Sequence, residues 1–211
     1  MRTRKTILEK RKMKKAIAFL LIMSMALAVQ AKKTASKRRY RAENTRIMIV
    51  GDSLVGAGSG LEIGLRKRLE KKKAKVKTYW KIGARPRTYI KSDEYNREVN
   101  IEYNPQIVIV VLGMNSVRTP VETFERDVKL YYKLQIGKDR DCFWIGPPPL
   151  IEGSEYFLKA MADIVLRYTH CRYYDTSKKM KFSPKSISGF HVKRWKGMKW
   201  ANKVLDWMEE K

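Results

Sequence analysis

At 211 residues, 44% of them hydrophobic, the chain has apolar material for one good core, and a single folded domain is the expectation. Its 47 Lys and Arg against 21 Asp and Glu give a net charge of +26, a field that attracts polyanions. No zinc-finger spacing or RNA-binding aromatic signature accompanies the basic residues, so the composition argues against a specific nucleic-acid site and for a solvated basic surface suited to an anionic envelope.

The first element in chain order is a leader. "MKKAIAFLLIMSMALAVQA", residues 13–31, has a basic start, an apolar run from Ala16 to Ala28 and small residues at its exit, the layout of a secretory signal. The run is short for a bilayer crossing, which takes about 20 apolar residues. The expectation is export, to the periplasm or beyond the cell, with cleavage after Ala31; an uncleaved anchor is the alternative. Residues 1–12 are either an extended basic region or lie upstream of a true start at Met13. Loss of residues 1–31 would remove eight basic residues and Glu9, leaving a net charge of +19. Residues 32–44 read as a basic linker and 45–211 as the domain, with no transmembrane span expected in the mature chain.

Within the domain the pattern alternates. "RIMIVG" (46–51) has strand length, and "LEIGLRKRLEKKK" (61–73) places Leu61, Leu65 and Leu69 at helical spacing. "KVKTYWKIG" (75–83) alternates as a strand does, while "QIVIVVLG" (106–113) is apolar on both faces, as in the interior of a parallel sheet. "PVETFERDVKLYYKLQIG" (120–137) opens with Pro120 in the first turn of a helix and stops at Gly137. A strand at 142–149, a helix at 154–168, a strand at 171–177 and a final helix at 194–210 complete the series. Strands alternating with helices predict a three-layer α/β/α sandwich around a mostly parallel five-stranded sheet. Cys142 and Cys171 each open a strand. If those strands are parallel neighbours the sulfurs would meet as a disulfide in an oxidising compartment; otherwise both are buried free thiols. Neither has metal-site or redox-pair spacing, and with no ligand cluster in the chain no metal or organic cofactor is expected.

In such a sheet, chemistry collects on loops at the carboxyl ends of the strands. Ser53 follows the first strand there, with Gly51 allowing a sharp exit. The G-x-S-x-G elbow does not fit, since Val55 stands at its second glycine. A serine nucleophile needs a base and donors for the developing oxyanion. Of the two histidines, His170 falls at the opposite end of the sheet, where compensation of a helix terminus is its expected role. His191 falls in the loop before the last helix, on the side of Ser53. Gly83 offers a backbone N–H after the second strand, and Asn115 a side-chain amide after the third. Among aromatics near this rim, Tyr89, Trp80 and Trp195 are candidates to stack on sugar rings, with core packing the expectation for Trp80 and Trp195. "GARPRT" (83–88) is either an anion-binding turn or an ordinary polar loop.

With "GDSL" at 51–54, this arrangement resembles the SGNH/GDSL hydrolase superfamily over residues 45–208. The resemblance implies a flavodoxin-like sheet in the order 2-1-3-4-5, Ser53 as nucleophile and first oxyanion donor, Gly83 and Asn115 as further donors, and His191 as base. Two positions depart from the pattern. Ser116 follows Asn115 where the family has Asp, and Ser188 occupies the place of the triad Asp three residues before His191. That leaves a Ser–His dyad oriented by Ser188 or a backbone carbonyl, a carboxylate such as Asp175 swinging in, or loss of hydrolysis. The implied activity is hydrolysis of a carboxylic ester, on a small ester or an acylated envelope glycan. The alternatives are O-acyl transfer from the same site and a non-catalytic domain that binds an anionic polymer.

Overall fold

Hydrophobic side chains at successive positions of a strand need cover on both faces of the sheet, and that requirement organises the molecule. The computed structural model describes residues 42–56, 59–137, 139–189 and 191–210; the leader and nearly all of the basic linker lie outside the described residues. Strands β1 (Arg46–Gly51), β2 (Lys75–Trp80), β3 (Ile107–Val111), β4 (Asp141–Ile145) and β5 (Arg172–Tyr174) form a fully parallel sheet in the order β2-β1-β3-β4-β5, as the resemblance implied.

Alternate residues of the central strands face opposite layers. Ile47, Ile49, Ile107 and Ile109 pack under α1 (Leu61–Lys71) and the final helix α7 (Arg194–Glu209), through Leu61, Leu65, Trp200 and Val204. Met48, Val50, Val108 and Val110 pack on the other face. There they meet α2 (Pro86–Ile90), α3 (Asp93–Arg97), α4 (Val121–Tyr131) and α5 (Glu155–Tyr168), mainly through aromatic rings. Full burial of each such side chain stabilises the fold by about 1.5–3 kcal/mol. Among the described residues no helix is long and apolar enough to cross a membrane.

Four expectations are corrected. The stretch 83–88 does not stay a polar loop: Pro86 opens α2, and α2, α3 and a π-helical turn (Glu98–Glu102) carry Tyr89, Tyr95 and Val99 into the core. A similar π-helical turn (Tyr132–Ile136) extends α4 to Gly137. Trp80 is 43% exposed, because it ends β2, an edge strand of the sheet. Trp195 is 49% exposed on the first turn of α7. His170 does not cap a helix: its Nε2 meets the Arg140 carbonyl at 2.7 Å and its Nδ1 the Tyr132 hydroxyl at 2.5 Å, tying two loops at the amino end of the sheet.

Chain after β5 forms the short helix α6 (Thr176–Lys179) and then a two-residue-a-side hairpin of β6 (Ile187–Ser188) and β7 (His191–Val192). At the other end of the sheet β4 and β5 are parallel neighbours, and Cys142 and Cys171 are joined as a disulfide with their Cα atoms 4.4 Å apart. A bridge spanning 29 residues restricts the unfolded chain, a contribution of about 3–4 kcal/mol in the loop-entropy account. Urea unfolding with and without reductant should therefore show a loss of about 3 kcal/mol on reduction, matched by the Cys142→Ala/Cys171→Ala double variant. Equal midpoints would remove the bridge from the account of stability.

Candidate active site

β1 is level with Trp80 of β2 at Gly51 on one side and with Val111 of β3 on the other, so three strands end together. The chain then turns at once. Asp52 C=O accepts the Val55 N–H at 3.1 Å, and the Asp52 side chain accepts the Leu54 N–H through Oδ1 at 2.9 Å. This doubled turn, backbone and Asx together, leaves Ser53 half-buried at its corner while Asp52, Leu54 and Val55 are buried around it.

The second oxygen of Asp52 reaches across to β3. Asn115 sits in a 3₁₀ turn (Met114–Ser116) and donates from Nδ2 to Asp52 Oδ2 at 3.0 Å and to the Ala84 carbonyl at 3.3 Å. The exits of β1, β2 and β3 are thus tied through one amide. Gly83, next to Ala84, holds φ at +71° in a turn closed by the Ala84 N–H to the Lys81 carbonyl at 3.1 Å. A left-handed residue is tolerated there because it has no Cβ, and the space a Cβ would take is open. Both hydrogens of the Asn115 amide are engaged, so polarising a substrate oxygen requires redirecting one of them. The longer bond, to Ala84, is the weaker of the two.

His191 reaches the same rim by a different route. Gly60, at the start of α1, packs so closely on α7 that a Cβ there would lie 2.1 Å from the Arg194 carbonyl oxygen, and Gly197 lies against the Ser59 carbonyl. The β7–α7 junction is thereby pinned beside Ser59 and Gly60, a few residues beyond Ser53. In the hairpin, Ser188 pairs directly with His191. Side chains at opposed positions of an antiparallel pair share a face, with Cβ atoms about 5 Å apart. Ser188 and His191 therefore lie on one face of the hairpin. Among the described residues no hydrogen bond joins Ser53 to His191 or Ser188 to His191.

Asp175 is committed elsewhere. It caps α6, accepting from the Lys178 N–H at 3.2 Å and the Ser177 hydroxyl at 2.5 Å, with Lys178 Nζ at 3.2 Å. Burial pushes its carboxyl up, but those donors outweigh it and hold the group below the usual value. Tyr89, proposed as a rim aromatic, is buried and donates its hydroxyl to the Gly51 carbonyl. The Trp80 indole lies flat against Gly56 on the outer side of the Ser53 loop. Among the described residues no group of three or more His, Cys, Asp or Glu could hold a metal ion.

Asp52 is the residue sequence reasoning missed. It was visible only as a letter of "GDSL", although an acid between a buried strand and the apolar pair Leu54–Val55 was a signal in itself. Burial raises its carboxyl from 3.8 to about 7, opposed by the hydrogen bonds from Leu54 and Asn115.

The sequence matches no family model and no curated protein. Solved structures do match. A protein of Slackia heliotrinireducens assigned to the SGNH hydrolases superposes with a TM-score of 0.64 at 16% identity, covering 80% of this chain and 100% of its own. The family 3 carbohydrate esterase of Clostridium thermocellum gives 0.62 at 17%, covering 78% and 96%. The psychrotrophic esterase EstA of a Pseudoalteromonas species gives 0.61 at 14%, covering 79% and 100%. The chain has the fold of the SGNH hydrolases.

The Asp52 carboxyl supplies a test of this geometry. Because its folded value lies above its unfolded one, the unfolded chain loses the proton first as pH rises, and stability falls between about pH 4 and about pH 7. Asp52→Asn, the isostere of the protonated acid, lacks that loss. Urea midpoints at pH 5 and pH 8 should show the variant gaining on the parent protein at the higher pH; a constant difference would refute the buried, proton-retaining carboxyl.

Proposed function

We propose that this chain is an exported serine esterase that hydrolyses a carboxylic ester through a Ser53 acyl-enzyme. The supporting observation is the convergence at one rim: Ser53 on a doubly clamped turn, Asn115 and Gly83 on the adjoining strand exits, and the His191 hairpin pinned to the loop that follows Ser53.

In this mechanism Ser53 Oγ attacks the ester carbonyl carbon as His191 takes the hydroxyl proton. The oxyanion is met by the N–H groups of Ser53 and Gly83 and by an Asn115 hydrogen released from Ala84. Collapse breaks the ester C–O bond, and the alcohol leaves with the proton from His191. Water, deprotonated by His191, then attacks the acyl-enzyme, and the acid departs as Ser53 recovers its proton. With Asp175 held at α6, the imidazole is oriented by the hairpin and by Ser188, a weaker arrangement than a buried carboxylate.

Acetylated glycans are the substrate we favour. The fold is shared with a carbohydrate esterase and an acetyl xylan esterase, and the leader pattern together with the Cys142–Cys171 bridge fits an oxidising compartment outside the cytoplasm. Ser188 in the place of an aspartate is the feature favouring the second reading, a domain that binds an anionic polymer without hydrolysis.

Turnover of an aryl acetate separates these. The protein should hydrolyse it, and Ser53→Ala and His191→Ala should each lower kcat by about 10³-fold or more. Ser188→Asp should raise kcat, by about tenfold, through an oriented imidazole. A parent protein no faster than Ser53→Ala would leave the binding-domain reading.

A further inference from the structure

Two stretches of chain flank the Ser53 loop, and neither contains a carboxylate. Between Glu70 and Asp93 lie nine Lys and Arg and no acid; between Asp175 and Asp206 lie nine more and again no acid. The first stretch carries Trp80 and Gly83 on one side of the loop. The second carries the His191 hairpin and the start of α7 on the other.

Beside the Ser53 loop four of these cations are unspent. Lys81 and Arg85 on one side and Lys193 and Arg194 on the other are exposed, and none pairs with an acid among the described residues. Lys193 and Arg194 also break a local rule. They stand at the cap and first residue of a 16-residue helix with no acid in its first turn, where the helix dipole disfavours positive charge.

Apolar surface sits between the charges. The exposed Trp80 indole is backed by Gly56, and Ile82 beside it is 73% exposed. Across the loop, Trp195 is half exposed, with Lys199 Nζ 5.3 Å from its ring centroid. A pyranose ring offers an apolar C–H face to an indole and hydroxyls at its edge, and an acidic sugar adds an anion for a neighbouring cation. A strip of flat ring, cation and ring across a nucleophile matches a chain of such sugars.

From this we infer that the rim around Ser53 is a binding groove for an O-acylated polyanionic glycan, held by Lys81 and Arg85 beside Trp80 and by Lys193 and Arg194 beside Trp195. The inference rests on the esterase reading for the place of the acyl group, but not for binding of the polymer. Acid groups on the chain select it against neutral polysaccharides, and the rings set its course past Ser53.

The test separates binding from turnover. Full-length Ser53→Ala is titrated with deacylated polygalacturonate, with xylan as the neutral chain and with single-stranded DNA as a non-glycan polyanion. Polygalacturonate should bind more tightly than xylan and lose at least about tenfold in affinity between about 50 and about 200 mM salt. Lys193→Gln/Arg194→Gln in the same background should weaken binding and flatten the salt dependence, and Trp80→Ala should weaken it without changing that slope. Xylan binding as tightly as polygalacturonate, or DNA displacing polygalacturonate at equal charge, would overturn the inference. Aryl acetate turnover by the parent protein is read separately. Turnover without polymer binding defeats the groove alone, whereas binding without turnover defeats the esterase reading and leaves the groove standing.

Discussion

The site depends on one buried carboxyl. Asp52 has both oxygens occupied by donors from different parts of the chain, the Leu54 N–H within its own turn and the Asn115 amide from the neighbouring strand exit. The first bond bends the chain so that Ser53 is presented at a corner. The second fixes Asn115 in reach of that corner. Removal of either donor would leave a buried oxygen unsatisfied, at a cost of about 1–3 kcal/mol, so the turn and the amide hold one another in place. Since Asn115 also bonds Ala84, the same carboxyl indirectly sets the loop that carries Gly83.

This arrangement has a consequence for charge. Asp52 adjoins Ser53 in the turn, and burial raises its carboxyl to about 7, so its charge changes around neutral pH. The cationic stretches on either side of the loop work in the opposite sense, lowering the cost of negative charge at Ser53 from a distance. The local acid and the surrounding field thus act on the same few atoms, and neither is understood without the other.

Much of this was legible in the sequence because it obeys simple periodicities. The run at 46–51 has strand length, the run at 106–113 is apolar on both faces as an interior parallel strand is, and Leu61, Leu65 and Leu69 keep helical spacing. What escaped was set by tertiary position. Residues 83–88 carry Gly83, Pro86 and two arginines, which reads as loop, yet Pro86 opens a helix, and Tyr89, Tyr95 and Val99 beyond it are core residues of the aromatic layer under α4 and α5. Trp80 reads as core by composition and lies on the surface because the strand order places β2 at the edge. Asp52 was hidden because no spacing announces a burial that depends on a partner 63 residues away.

Opposed pairing in the β6–β7 hairpin keeps positions 188 and 191 on one face, whatever residue stands at 188. A hydroxyl at that point can accept a hydrogen bond from the ring but brings no charge to stabilise an imidazolium. The stretch that carries His191 contains nine Lys and Arg without an acid. On the esterase and groove readings proposed above, a bound polyanion would offset that field around Ser53, and the polymer that positions the ester would also bring negative charge to the rim.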